Sequence, residues 1–162
     1  EETLTTPNSR FDQWLIGYDK SISESELEGY DLFKKKGCIA CHNGVGVGGN
    51  SYQKFGMAKP YDKDTNTLGR YNVTKDDKDK FVFKVPLLRN IELTAPYFHD
   101  ASTRDLSEAV NIMAEYQLGT TLTEDETEKI VAFLRTLTGG QPSIIFPTLP
   151  PSTPTTPEPN RN

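Results

Sequence analysis

Side chains that bind metals or form disulfides are scarce in this sequence. Its 162 residues include two cysteines, two histidines and two methionines. A zinc finger needs a second pair of ligands at short spacing, and none exists, because His42 directly follows Cys41 and the other histidine, His99, is isolated. No apolar run approaches the length of a transmembrane helix, so the sequence predicts no membrane span.

Positive charge and hydrophobic residues are also in short supply. The net charge of -5 argues against nucleic acid as a partner. The hydrophobic content of 35% and the mean hydropathy of -0.59 are low for this length, which indicates that part of the chain lies outside the packed body. Seven of the eleven prolines fall in residues 141–162 among Thr and Ser, a composition typical of an extended segment. We therefore predict a domain over residues 1–140 and an extended tail over residues 141–162.

The two cysteines lie in one short motif, Cys38-Ile39-Ala40-Cys41-His42. Two thiols three positions apart, followed at once by an imidazole, match the attachment signature of a c-type haem, in which both sulfurs bond the porphyrin and the histidine ligates the iron. A thioredoxin-like dithiol would instead lie near a βαβ pattern and would not need the histidine. We predict one covalently bound haem c, held by Cys38, Cys41 and His42.

This cofactor has a consequence for where the protein works. Covalent haem attachment implies export from the cytoplasm, so we expect a periplasmic protein. The chain begins with Glu1 and shows no signal peptide. We expect that either a leader has been removed or Glu1 lies inside a longer precursor.

Most of the remaining sequence signals indicate helices. Capping residues are followed by apolar residues at helical spacing, and the predicted starts are Asn8 or Ser9, Ser23, Ser102 and Thr123. We also expect a short helix near residues 71–73, and no segment shows convincing strand alternation. The predicted fold is all-α, a cytochrome c-like helical domain with long loops around one haem.

A second axial ligand would close the iron site. A His/Met pair raises the reduction potential, as an electron-transfer centre requires. Residue types alone leave Met113, Met57 and His99 as candidates, together with an open site, because each of these side chains could instead serve packing or hydrogen bonding.

Several separate motifs resemble the C-terminal haem domain of bacterial di-haem cytochrome c peroxidases. The resemblance covers about residues 4–151 and is carried by four segments, residues 6–15 (TPNSRFDQWL), 37–44 (GCIACHNG), 88–99 (LRNIELTAPYFH) and 108–113 (EAVNIM). Their number and order make this resemblance more specific than the haem signature alone.

The resemblance implies several site residues. It implies that Met113 is the sixth ligand of a high-potential haem. Related enzymes that mature methylamine dehydrogenase use a tyrosine there, so a methionine argues against that branch. It also implies an interdomain calcium ion bound by the carbonyl oxygens of Thr94 and Pro96, with the side-chain ligand on another domain. Homodimers are usual in this family.

The resemblance also implies a role. The chain would be the electron-transfer half of a cytochrome-c peroxidase, an oxidoreductase. It would take electrons from a small c-type cytochrome or cupredoxin and pass them to a peroxidatic haem on an N-terminal domain that these residues lack, so this domain alone should not be catalytic. The alternatives are a free-standing mono-haem electron carrier and a five-coordinate haem sensor or enzyme in which Met113 is only part of the core.

Overall fold

The computed structural model describes residues 6, 8–61, 67–141, 143, 145, 148 and 150–157. These residues form five α-helices: α1 (Arg10–Leu15), α2 (Glu24–Lys35), α3 (Tyr71–Thr74), α4 (Leu106–Ile112) and α5 (Glu124–Arg135). Short 3-10 turns separate several of them, and a π-helix, Met113–Gln117, continues directly from α4. The predicted helical fold is confirmed.

Three helices begin where the sequence places them. Ser9, Ser23 and Thr123 each accept a hydrogen bond from the backbone N–H three residues later, and the acidic side chain at that position bonds back to the cap. Such a box satisfies two amide donors that the first turn leaves unpaired. Local chemistry alone therefore determines these starts.

The predicted helix start at Ser102 is wrong. Helix α4 begins after Asp105, whose side chain accepts from the Glu108 N–H at 2.8 Å. The preceding Thr103 is held in a bridge with Tyr97, whose N–H donates to the Thr103 carbonyl at 2.7 Å. This pairing between residues six positions apart keeps the chain extended until Asp105.

A small sheet was also not expected from the sequence. Strands β1 (Tyr52–Lys54) and β2 (Val82–Lys84) pair antiparallel, with Gln53 opposite Phe83. Each strand has three residues, too few for alternation to be recognised. The domain is therefore mainly helical with one short two-stranded ribbon.

Helices α2 and α5 pack closely against each other at the centre of the fold. The contact point is Gly29, where an added Cβ would lie 1.9 Å from the carbonyl oxygen of Lys129. The apolar stripe of α5 faces this contact, and its members Ile130, Phe133 and Leu134 are at most 4% exposed. Only a glycine lets the two backbones approach this closely.

Aromatic rings fill the space beside this helix pair. Phe11 meets Phe133 edge to face at 5.3 Å and stacks on Trp14 at 5.7 Å. Tyr30 lies 5.0 Å from Phe133. Trp14 is half-buried against the core, where its large ring helps to anchor α1.

The longest helices among the described residues, α2 and α5, have 12 residues each. None of the described helices combines the length and the apolar character that crossing a bilayer requires.

Candidate functional site

The motif Cys38 to His42 folds into a single tight turn directly after α2. Gly37 adopts a left-handed conformation with φ of 97°, which ends the helical direction and starts the 3-10 turn Cys38–Ala40. The Cys38 carbonyl then accepts the N–H groups of Cys41 at 3.3 Å and His42 at 3.0 Å. The turn thus gathers both thiols and the imidazole within five residues.

The two cysteines are half-buried and unpaired. Cys38 packs against the hydrophobic core, and burial raises the pKa of its thiol to about 11. The two sulfurs lie close together in the chain, at the edge of an apolar core, and no disulfide joins them. Both are therefore available to bond a hydrophobic group covalently.

His42 is the most buried of the titratable groups predicted for the site, at 9% exposed. Burial lowers the pKa of its imidazole, although the carbonyls of Pro86 and Val47 oppose the shift. The ring is therefore neutral at neutral pH and keeps a lone pair on one nitrogen. Its Nδ1 is buried and makes no hydrogen bond of ordinary geometry to the residues described, a sign that this ring requires a further interaction.

A glycine-rich loop, residues 43–49, covers this imidazole. A Cβ at Gly48 would lie 2.1 Å from the Pro86 carbonyl oxygen and 3.3 Å from Nδ1 of His42. At Gly46 and Gly49 it would lie 2.2 Å and 2.5 Å from Cδ2 of Leu87. The glycines therefore let the loop lie against residues 86–87 of the same chain.

Met113 starts the π-helix and is half-buried. The Leu118 N–H closes this wide turn on the Met113 carbonyl at 3.3 Å. Leu118 also adjoins the cysteine turn, since a Cβ at Gly37 would lie 3.9 Å from its Cδ2. The π-helix and the motif are thus neighbours, and π-turns are frequent at functional sites.

The other two candidate ligands are in different surroundings. Met57 is 61% exposed, in a loop that is fixed to the π-helix by bonds from the Ala58 and Lys59 N–H groups to the Tyr116 carbonyl at 3.1 Å and 3.2 Å. His99 is exposed, and its ring stacks on Phe83 at a centroid distance of 4.1 Å. Of the three, Met113 has the burial that an axial ligand needs.

These residues suit a covalently bound haem. They offer two adjacent thiols, a buried neutral imidazole and a half-buried thioether on a neighbouring element. Thioether and imidazole are the ligand pair of electron-transfer haems.

Comparison with known proteins tests this interpretation. The profile of the family Cytochrome c matches residues 27–138. The chain belongs to the cytochrome c family. Its members carry covalently bound haem c, so the cofactor class predicted from the motif is confirmed.

Individual relatives show which members of the family the chain resembles. The chain is 55% identical over 157 residues to the cytochrome c551 peroxidase of Nitrosomonas europaea, covering 97% of this chain and 47% of that protein. It is 46% identical over 162 residues to the cytochrome c551 peroxidase of Pseudomonas aeruginosa, covering 98% and 47%. The chain thus spans about half the length of these curated relatives and is homologous to one part of them.

A solved structure has the same fold. It is a MauG-like protein associated with microbial copper homeostasis, with a TM-score of 0.71 and 28% identity over 82% of this chain and 48% of that one. The helical cytochrome c architecture is therefore shared with a second branch of relatives.

Two contributors to the site were not found from the sequence. Arg89 bonds the glycine-rich loop through the Val45 carbonyl, and Gln117 of the π-helix accepts from the Gly56 N–H at 3.0 Å and donates to the Lys54 carbonyl at 3.1 Å. Both side chains act across long sequence separations. The sequence marks Arg89 solely by its position in the segment 88–99, which carries the family resemblance.

Proposed function

We propose that Cys38 and Cys41 hold the haem and that His42 and Met113 are its axial ligands. The shared turn of the first three residues supports this assignment, as does the half-burial of Met113 on a π-helix whose C-terminal neighbour, Leu118, adjoins that turn. Bound haem c supplies one-electron chemistry, at a potential that His/Met ligation raises. The chain orients the imidazole, excludes water from it and places the thioether.

We further propose that the chain is the electron-accepting half of a cytochrome c peroxidase. The observation that carries this is the 55% identity over nearly the whole chain to about half of a cytochrome c551 peroxidase. Two electrons, delivered one at a time to a second haem domain, would there reduce hydrogen peroxide with two protons to two water molecules. If Met113 holds the haem iron together with His42, this chain itself would leave no free iron site for peroxide.

An apolar rim around the cysteine turn suits the docking of a small cytochrome or cupredoxin. The rim consists of Ile39, Val45 and Leu87, which are 37%, 90% and 57% exposed. Nearby cations are largely neutralised, since Lys34 pairs with Asp31 at 2.8 Å and Lys36 with Glu126 at 2.6 Å. Docking should therefore depend more on apolar contact than on steering by the lysines.

Val45→Glu should lower the second-order rate of electron uptake from a reduced small cytochrome about tenfold, as expected for a charge placed in an apolar hot spot. Val73→Glu is the matched control, because Val73 is 86% exposed and belongs to α3, which contains none of the rim residues. The measurement is stopped-flow reduction of the haem-loaded chain. Equal rates for the two variants would place the docking surface elsewhere.

Other parts of the assignment follow the family resemblance. Thr94 and Pro96 are exposed, as carbonyl ligands of a calcium ion at a domain boundary would be. The part of the chain that the structure describes holds no cluster of three or more His, Cys, Asp or Glu side chains able to bind a metal. We propose that calcium binding needs the other domain.

We also propose that the intact protein is a periplasmic homodimer and that residues 141–162 form an extended tail. The tail residues that the structure describes are all exposed.

The peroxidase assignment can be tested by comparing this chain with the protein as isolated from its source. We expect the intact protein to contain a second haem and to reduce peroxide at an enzyme-like rate, on the order of 1 to 1,000 per second. The chain alone should accept electrons but turn over peroxide at less than about a hundredth of that rate. Enzyme-like turnover by the chain alone would refute the relay role, and an intact mass with one haem would indicate a free-standing carrier.

A further inference from the structure

Arg89 joins three distant segments around the cysteine turn. Its Nη1 and Nη2 donate to the two carboxylate oxygens of Asp12 at 2.9 Å and 2.7 Å. Its Nε donates to the carbonyl of Val45, in the glycine-rich loop. One guanidinium thus connects helix α1, the loop after His42 and the segment that contains Pro86.

The ion pair is sheltered and geometrically fixed. The side chains of Arg89 and Asp12 are only 20% and 24% exposed. Burial alone would raise the pKa of Asp12, but hydrogen bonds from Arg89 and Ser9 outweigh it and lower that pKa. A charged, two-pronged Arg–carboxylate pair restricts orientation more than a single contact does.

The loop that Arg89 holds lies directly against His42. Backbone bonds join it to the neighbouring segment, from Gly49 N–H to the Val85 carbonyl at 2.9 Å and from Leu88 N–H to the Val47 carbonyl at 3.2 Å. Between these bonds the loop and Pro86 present their carbonyls beside Nδ1 of His42. Among the described residues the contact of Nδ1 with these carbonyls falls short of ordinary hydrogen-bond geometry, but the carbonyls lie close enough to oppose the lowering of the His42 pKa, so the position of the loop sets the strength of this contact.

We propose that Arg89 is a positioning residue for the axial histidine. By tying the Val45 carbonyl to Asp12, it fixes the loop and thereby sets how closely the backbone carbonyls approach the Nδ1–H of His42. This inference rests on the proposed ligation of iron by His42. A hydrogen bond from the second ring nitrogen makes an imidazole a stronger electron donor to a bound metal, so a looser loop weakens donation and favours the reduced iron.

The test uses the haem-loaded protein and two readouts other than turnover. In Arg89→Gln we expect the one-electron reduction equilibrium to shift about three- to tenfold toward the reduced state, where tenfold corresponds to 59 mV. We expect the His42 Nδ1 proton, followed by NMR, to exchange with solvent at least about tenfold faster. Arg89→Lys, which keeps the charge but loses the fork, should give an intermediate result.

Arg10→Gln is the matched control. Arg10, on the same helix as Asp12, also makes a two-pronged hydrogen bond to a carboxylate, that of Glu26 in α2. Among the described residues it bonds no atom of the glycine-rich loop. We expect this variant to leave both the potential and the proton exchange unchanged, even if it costs stability. A purely structural role for Arg89 predicts that Arg89→Gln behaves like Arg10→Gln, and that outcome would overturn the proposal.

The outcomes also separate this inference from the proposed function. If the unmodified protein lacks the spectrum of a His-ligated haem, the function assignment itself fails. If that spectrum is present but the readouts of the Arg89 variants match the control, only the positioning role fails. Should Arg89→Gln not fold, Arg89→Lys and Asp12→Asn are judged by the same two readouts and the same control.

Discussion

Replacing Met113 by alanine should abolish the sulfur-to-iron charge-transfer band of the oxidised protein and lower its reduction potential by roughly a few tenths of a volt. Axial ligands tune haem potentials over about 0.8 V, and thioether ligation favours the reduced metal. Met113 is half-buried at the start of a π-helix that adjoins the cysteine turn. No other residue of this π-helix contains sulfur, so none can replace the thioether. Absorption spectra and redox titration measure both effects.

Met57→Ala is the control for this experiment. Met57 lies in the loop bonded to the same π-helix but is 61% exposed. We expect its band and potential to match those of the unmodified protein. A band that survives in Met113→Ala and disappears in Met57→Ala would exchange the two assignments, and a band retained in both would exclude methionine ligation.

Gly29→Ala should destabilise the protein by about 3 kcal/mol or more. Helix propensity alone would favour alanine by about 1 kcal/mol. Steric overlap decides the sign, because the new Cβ would lie 1.9 Å from the carbonyl oxygen and 2.6 Å from the carbonyl carbon of Lys129. Backbone atoms cannot rotate away as a side chain can, so α2 and α5 must separate along their contact. The free energy of unfolding in denaturant, measured with haem attached, reports this cost.

Ser25→Ala provides the comparison on the same helix. Ser25 is an exposed residue of α2, so this substitution should change the free energy of unfolding by no more than about 0.5 kcal/mol. A Gly29→Ala protein as stable as Ser25→Ala would show that the two helices do not touch at Gly29.

Features encoded within a few residues could be predicted from the sequence. The Cys38 to His42 motif indicated its chemistry because attachment needs three side chains in one turn. The boxes at Ser9, Ser23 and Thr123 marked helix starts because both partners lie three residues apart.

Features that depend on partners outside a single helical turn, or on a change in helix type, could not be predicted in this way. The bridge between Tyr97 and Thr103 delays α4 past Ser102, and the pairing of β1 with β2 involves strands of three residues. The π-helix after Ile112 differs from an α-helix in its backbone hydrogen bonds, which span five residues and not four. Nothing in the residue types of this segment indicates that difference. Residue spacing alone does not choose between Met113 and Met57 as the candidate iron ligand. Their burial differs, since Met113 is half-buried and Met57 is exposed.

The glycine contact between α2 and α5 also bears on the order of assembly. Gly29 and Lys129 are about 100 positions apart, so the contact closes a long loop, and such non-local contacts form slowly. The cysteine turn is closed by hydrogen bonds within residues 38–42 and therefore does not wait for α5 to dock. Thioether formation uses a thiolate, and folding raises the pKa of Cys38 to about 11. The late arrival of the C-terminal helix thus leaves an interval in which the Cys38 thiol is more accessible and more reactive than in the finished domain.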